Sequence, residues 1–139
     1  MQKTPSYYNF NIRILIAEDE IINAMYLTKL LESKGAFVET ASNGLEVLKH
    51  LKESSFDLIL MDIGMPEMDG ISCAKKIRKS QDPKVSEIPI IALSGYITEK
   101  DKSTFINTGM NSVVSKPIIE SQLYKEIQKI YKLFGAESK

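Results

Sequence analysis

The sequence predicts an α/β fold, a doubly wound (βα)5 domain whose five-stranded parallel sheet carries helices on both faces. Three observations predict it. Short apolar runs alternate with segments of helical periodicity from Ile12 onward. Five such repeats can be counted in a chain of 139 residues, a length that suits one domain. Four of the apolar runs lead into acidic, hydroxyl or amine side chains, at the strand ends where open α/β sheets place their chemistry.

The first strand is Arg13–Ala17, which runs into Glu18 and Asp19. Ala24, Leu27 and Leu31 then recur at helical spacing, and Gly35 stands where a helix C-terminus favours glycine. Residues 36–40 form the second strand. Asn43 caps a helix with Leu48 and Leu51 on one face, and residues 57–61 form the third strand. That strand ends at Asp62 and is followed by a turn-forming stretch, Gly64, Met65, Pro66, Glu67, Met68, Asp69 and Gly70. Asp69 opens a helix with Ala74 and Ile77 inward. Residues 81–87 read as a polar loop before a fourth strand over 88–93, with Pro89 near its start, and that strand runs into Ser94. The fourth helix, residues 98–108, has only Phe105 and Ile106 as large apolar residues and suits a movable or partner-facing element. Val113 and Val114 make a short fifth strand that leads through Ser115 to Lys116 and Pro117. Leu123, Ile127, Ile130 and Phe134 give the last helix its apolar stripe.

Residues 1–11 read as a loose N-terminal arm or linker, despite Tyr7, Tyr8 and Phe10, and residues 12–139 as the folded domain. Hydrophobic residues make up 43% of the chain, enough for a core. Eighteen Lys plus Arg balance eighteen Asp plus Glu, so no basic surface predicts direct nucleic-acid binding. The one cysteine, Cys73, forms no intramolecular disulfide and fits a packing role in a reducing compartment. No apolar stretch approaches the ~20 residues of a membrane span, so the expectation is a cytoplasmic chain with no membrane insertion. His50 reads as a solvated or partly packed side chain.

Glu18, Asp19 and Asp62 come together if the first and third strands are neighbours. Two carboxylates ~5 Å apart repel by about 3 kcal/mol at an effective dielectric of ~20, so the cluster calls for a cation. Oxygen ligands favour Mg²⁺ or Mn²⁺. Asp62 is a candidate nucleophile or metal ligand, and with the Ser94 hydroxyl and the Lys116 amine the strand ends make a site for a divalent cation and a phosphoryl group. Any one of these residues alone is commonplace as a cap or a solvated helix start. Their joint occurrence is the signal.

Ile14 to Asp19 with Asn23, the run from Met61 to Gly70, Leu93-Ser94-Gly95 and Ser115-Lys116-Pro117-Ile118 together resemble the receiver domain of two-component response regulators, most closely receivers attached to hybrid sensor kinases. The resemblance covers residues 12–134. It implies the flavodoxin-like strand order 2-1-3-4-5 and phosphorelay signalling in which Asp62 is the phosphoacceptor. It implies that Asp19 and Asp62 bind the metal directly, that Glu18 acts through water and that the Gly64 backbone carbonyl completes the set. The implied donor is the phosphohistidine of a histidine kinase or histidine phosphotransfer protein. No separate enzyme activity is expected beyond phosphotransfer to Asp62 and autodephosphorylation. The chain reads equally as a stand-alone regulator or as part of a hybrid histidine kinase, with a homodimer through the helix 4–strand 5–helix 5 face left open.

Four positions bear on access and switching. The strand-five aromatic of the family is replaced by Val113, Gly95 makes the loop after Ser94 adaptable, Tyr96 is placed to shield an acyl phosphate, and the resemblance implies a cis Lys116-Pro117 bond. A receiver-like interaction module that is not phosphorylated is the alternative. A flavin-binding redox protein is disfavoured because Glu18-Asp19-Glu20 stands where a phosphate loop belongs, and a haloacid-dehalogenase-type phosphatase because Gly64 replaces its second acid.

Overall fold

Five parallel strands, β1 (Arg13–Ala17), β2 (Phe37–Ala41), β3 (Leu58–Asp62), β4 (Ile90–Ser94) and β5 (Ser112–Ser115), lie in the order β2-β1-β3-β4-β5 in a computed structural model that describes residues 8–95 and 97–131. Six helices connect and follow them: α1 (Ile21–Glu32), α2 (Gly44–Glu53), α3 (Gly70–Arg78), α4 (Pro83–Ser86), α5 (Glu99–Thr108) and α6 (Glu120–Ile130). The predicted fold and strand order are both present.

The sheet divides the core by the two-residue period of its strands. Ile14, Ile16, Leu58, Leu60, Ile91 and Leu93 face the layer with Leu27 and Leu31 of α1 and Leu123 and Ile127 of α6. Their neighbours Leu15, Ile59, Met61, Ile90 and Ala92 face the other layer, with Val47 of α2, Cys73 and Ile77 of α3 and Phe105 of α5. Because both faces are covered, the central strands are apolar at successive positions rather than alternating.

Helix starts follow local hydrogen-bonding chemistry. The Asn43 side chain accepts from the Glu46 N–H (2.9 Å) and Asp69 accepts from the Ser72 N–H (2.8 Å). Thr98 and Asp101 close a reciprocal capping box at the head of α5. At its tail, Gly109 takes φ 110°, and its carbonyl accepts from Nε and Nη2 of Arg78 at 2.9 and 2.7 Å. The same guanidinium donates to the Ser86 carbonyl (2.9 Å), so Arg78 ties α3 to α4 and to the turn before β5.

Two expectations are corrected. The segment 81–87 is not simply a loop, because Pro83 occupies the first helical position and Asp82 accepts from the Lys84 N–H (3.0 Å), which builds the single turn α4. The helix counted fourth from the sequence is therefore α5. The expected loose arm does not hold for Tyr8 and Phe10. Phe10 is fully buried, donates its N–H to the Lys34 carbonyl (2.7 Å) and packs with Tyr8 and Tyr124, ring centroids 5.6 and 5.9 Å away. Gly35 accommodates this approach, since at φ 90° a Cβ there would lie 2.5 Å from Oδ1 of Asn9. Residues 1–7 and 132–139, including Tyr7 and Phe134, lie outside the described residues, as does Tyr96.

Phe10→Ala is expected to cost about 3 kcal/mol of unfolding free energy, the lower end for emptying a buried phenylalanine site, measured by urea denaturation. A loss under about 0.5 kcal/mol, the scale of an ordinary surface change, would return Phe10 to the arm. Cys73 is fully buried, and burial, helped by Asp69, pushes its thiol up to about 12. A rise of three units leaves about 10³-fold less thiolate at pH 8. Iodoacetamide should therefore alkylate the native chain at least that much more slowly than the urea-unfolded chain, as followed by intact mass.

Candidate functional site

Parallel pairing of Ala17 with Met61 places the next residues, Glu18 and Asp62, side by side at the carboxyl ends of β1 and β3. Glu18 is 3% and Asp62 7% exposed, while Asp19 is exposed beside them. One carboxylate oxygen from each of the three lies within 4.8 Å of the other two. Lys116 follows β5 and reaches across the end of β4, bringing Nζ to 3.3 Å from Glu18 Oε1 and 3.2 Å from Asp62 Oδ1.

Backbone donors complete the frame. The Glu20 N–H donates to Glu18 Oε2 (3.1 Å) and the Gly64 N–H to Asp62 Oδ1 (3.3 Å). Asp62 Oδ2 and the Asp19 carboxylate have no hydrogen-bond partner among the described residues. Glu18 continues the β ladder through its N–H to the Ala41 carbonyl (2.9 Å), which fixes where its side chain leaves the sheet. Behind Asp62 the chain turns sharply, with Glu67 at φ 65° and the Gly70 N–H on the Ile63 carbonyl (3.0 Å). A Cβ on Gly70 would stand 2.6 Å from the Asp62 carbonyl oxygen, so only glycine lets α3 begin this close to the strand end.

Burial is the largest influence on Glu18 and raises its carboxyl above the ordinary value; the Glu20 N–H opposes this, the Asp62 charge adds to it and Lys116 offsets part of it. For Lys116, burial works to lower the ammonium, but the charges of Asp62 and Glu18 and their hydrogen bonds prevail and raise it. One ammonium is thus clamped between two buried acids, with a third acid beside them.

Ser94 ends β4 half-buried, and its carbonyl accepts the Lys116 N–H (2.8 Å), while its hydroxyl makes no hydrogen bond to the acids. Gly64 and Gly95 flank the mouth of the site, and a Cβ on either would meet nothing within 4 Å. Val113 is paired with Ala92 and packs against the core on the α3 and α5 side. The Lys116–Pro117 bond is cis, as the resemblance implies. The structure therefore brings Glu18, Asp19, Asp62 and Lys116 together, with Ser94, Gly64, Gly95 and Pro117 at the rim, and leaves Val113 to one side. Reading residue types did not find the Glu20 N–H on Glu18, since a backbone donor leaves no trace in residue identity, and it did not find the clash that demands glycine at 70.

The family model for the response regulator receiver domain matches residues 14–128. The chain is 41% identical over 122 residues to hybrid signal transduction histidine kinase K of Dictyostelium discoideum, covering 84% of this chain and 10% of that protein. It is 36% identical over 120 residues to hybrid signal transduction histidine kinase B of the same organism, covering 80% of this chain and 6% of that one. The chain thus spans a tenth or less of these curated relatives. Among solved structures it is similar to the receiver domain of a sensor histidine kinase from Pseudomonas aeruginosa with a magnesium ion coordinated in the active site cleft, at a TM-score of 0.77 and 29% identity, covering 85% of this chain and 95% of that one.

Three carboxylates against one ammonium predict that a divalent cation stabilises the fold. Mg²⁺ at one hundred times its dissociation constant should add about 2.7 kcal/mol to the unfolding free energy. Asp19→Asn should lose that dependence and be the more stable chain in EDTA, because one repulsion is gone. Thermal unfolding with and without Mg²⁺ checks both; a full Mg²⁺ response in the variant would remove Asp19 from the ligand set.

Proposed function

The chain belongs to the response regulator receiver family and is a receiver domain of two-component signalling, and from that membership we propose that Asp62 accepts a phosphoryl group from the phosphohistidine of a histidine kinase or histidine phosphotransfer protein. The observation that carries the proposal is the buried Glu18–Lys116–Asp62 bridge with Asp19 beside it.

An all-oxygen donor set with excess negative charge fits a hard divalent cation. Asp19 and Asp62 would hold Mg²⁺ directly, with Glu18 through water and the Gly64 carbonyl as a further ligand, and the ion coordinated in the Pseudomonas receiver supports that choice. When bound, Mg²⁺ supplies positive charge for the phosphoryl oxygens. The protein's own groups do the rest. Lys116 and the Gly64 N–H hold Asp62 Oδ1, which leaves Oδ2 to attack. The Oδ2–P bond forms as the P–N bond breaks, and the donor imidazole keeps the electron pair of that bond. Lys116 is then free to turn from Asp62 to an equatorial phosphoryl oxygen, and the Ser94 hydroxyl, engaged with no acid, can donate to another.

Readout follows from the same contacts. Drawing in Ser94 pulls on Gly95 and on the start of α5, a helix that buries only Phe105. Val113 offers no ring to rotate, so the loop and α5 carry the switch. Shielding of the acyl phosphate by Tyr96 and a homodimer through the α5–β5–α6 face belong to the same proposal. Among the described residues no helix is long and apolar enough to cross a membrane; a cytoplasmic location follows from the proposed donor.

The test is incubation with Mg²⁺ and acetyl phosphate, followed by intact mass. The chain should gain one phosphoryl group, Asp62→Asn none, and Lys116→Ala should react at least about 10²-fold more slowly, the usual cost of losing one charge-stabilising donor. Labelling of Asp62→Asn at full rate would move the acceptor elsewhere.

A further inference from the structure

β2 is an edge strand, and its free side opens into a slot of about 850 Å³ that begins beside Asp19 and runs between α1 and α2. The Phe37 N–H donates to the Ile12 carbonyl and the Glu18 N–H to the Ala41 carbonyl, both at 2.9 Å, which with the register puts the β1 ladder on Phe37, Glu39 and Ala41. The backbone N–H and C=O groups of Val38 and Thr40 therefore point away from the sheet. No described residue pairs with them. α1 and α2 cover opposite faces of the sheet, so the slot is floored by a strand edge and walled by two helices, the shape an added strand fills.

The side chains define what kind of strand. On the α2 side, Glu39 bonds His50 (3.0 Å) and lies near Glu46; on the α1 side, Val38 packs toward the core and Ile21 and Met25 are 73% and 53% exposed. Five carboxylates and one lysine line the slot. Glu18 and Asp19 at its mouth belong to the acidic cluster with Asp62. Glu39 also pairs with Arg13 (3.3 Å), so Glu32, Glu39 and Glu46 face Lys29 and Arg13 along the rest, a balance that stays negative. A second copy of the chain fits poorly, because pairing two β2 edges sets Glu39 against the same acidic edge. A cationic strand meets complementary charge.

We infer that the β2 edge accepts an extended segment of a partner protein, about five residues long to match β2, in which Lys or Arg alternates with apolar side chains. The cationic residues lie over Glu39 and Glu46, and the apolar ones cover Val38 and Met25. The strand contacts fall on Val38, Glu39, Thr40 and Glu46, away from Asp62 although the slot opens beside Glu18 and Asp19, so phosphotransfer and strand addition can fail independently.

The probe is the capped hexapeptide Lys-Val-Lys-Val-Lys-Val, titrated into the ¹⁵N-labelled full chain, with a Glu-Val analogue and two copies N-methylated on either the lysines or the valines. Support is a saturable shift change over residues 37–42, at least tenfold slower exchange of the Val38 and Thr40 amides, and at least tenfold weaker binding by the Glu-Val analogue and by one methylated copy but not the other. Thr40→Pro removes an outward N–H without touching the β1 ladder; it should weaken binding at least tenfold while Asp62 is still phosphorylated by acetyl phosphate. The inference is overturned by an absence of saturable binding, by binding that leaves the Val38 and Thr40 amides exchanging as before, or by two methylated copies that bind as tightly as the parent.

Discussion

The structure is organised around the cost of burying Glu18 and Asp62 next to each other. Two desolvated carboxylates at neighbouring strand ends are tolerable only with a cation between them, and the fold supplies one, Lys116. That single requirement explains why β5 belongs to the sheet and why its end must face the same side as β1 and β3. The lysine reaches past β4 to the acids, a distance its flexible stem spans with a compact charge at the tip. With one ammonium for three acids the balance stays negative, which is what makes the site receptive to a further cation.

Much of this was legible in the sequence because the strands announce themselves. Each apolar run ends where its reactive side chain begins, so residue order alone places Asp62, Ser94 and Lys116 at strand ends. The strand order was not legible from periodicity; it came with the resemblance to receivers. Phe10 was misread because its neighbours are polar, although Tyr8, Phe10 and Ile12 stand at the period-two spacing of an extended segment laid on a surface. α4 is hidden by its four-residue length within a polar stretch, although Asp82-Pro83 is a helix-start signal. What no reading of side chains could supply is the Glu20 N–H on Glu18 and the steric demand for glycine at 70.

The α5 helix shows how unevenly the domain is held. Its tail is fixed by the Arg78 guanidinium on the Gly109 carbonyl and by the buried Phe105 and Met110. Its head is capped by its own Thr98 and Asp101 and borrows no hydrogen bond from the sheet. A helix that satisfies its first turn internally can shift at that end without leaving backbone donors bare. The chain from Ser94 leads into that end, so under the proposed readout a pull at the site would reach the weakly held part of the helix, with Arg78 as the pivot.

The glycines around the site separate two jobs that one residue type performs. At 44 and 70 a Cβ would collide with Met68 and with the Asp62 backbone, so these positions lock the turn behind the acceptor to α2 and α3. At 64 and 95 a Cβ would meet open space, so glycine there is not demanded by packing. Its effect is to keep the mouth clear on both sides of Asp62. Among the described residues Asp62 is thus held from behind and uncrowded at positions 64 and 95, which would admit the proposed phosphohistidine donor and water equally. With no side chain at 64 to hold or exclude that water, the lifetime of the proposed acyl phosphate would depend on how firmly Lys116 and Ser94 close on it together with the proposed Tyr96 shield, and the contacts that preserve the phosphorylated state would be the ones that transmit it.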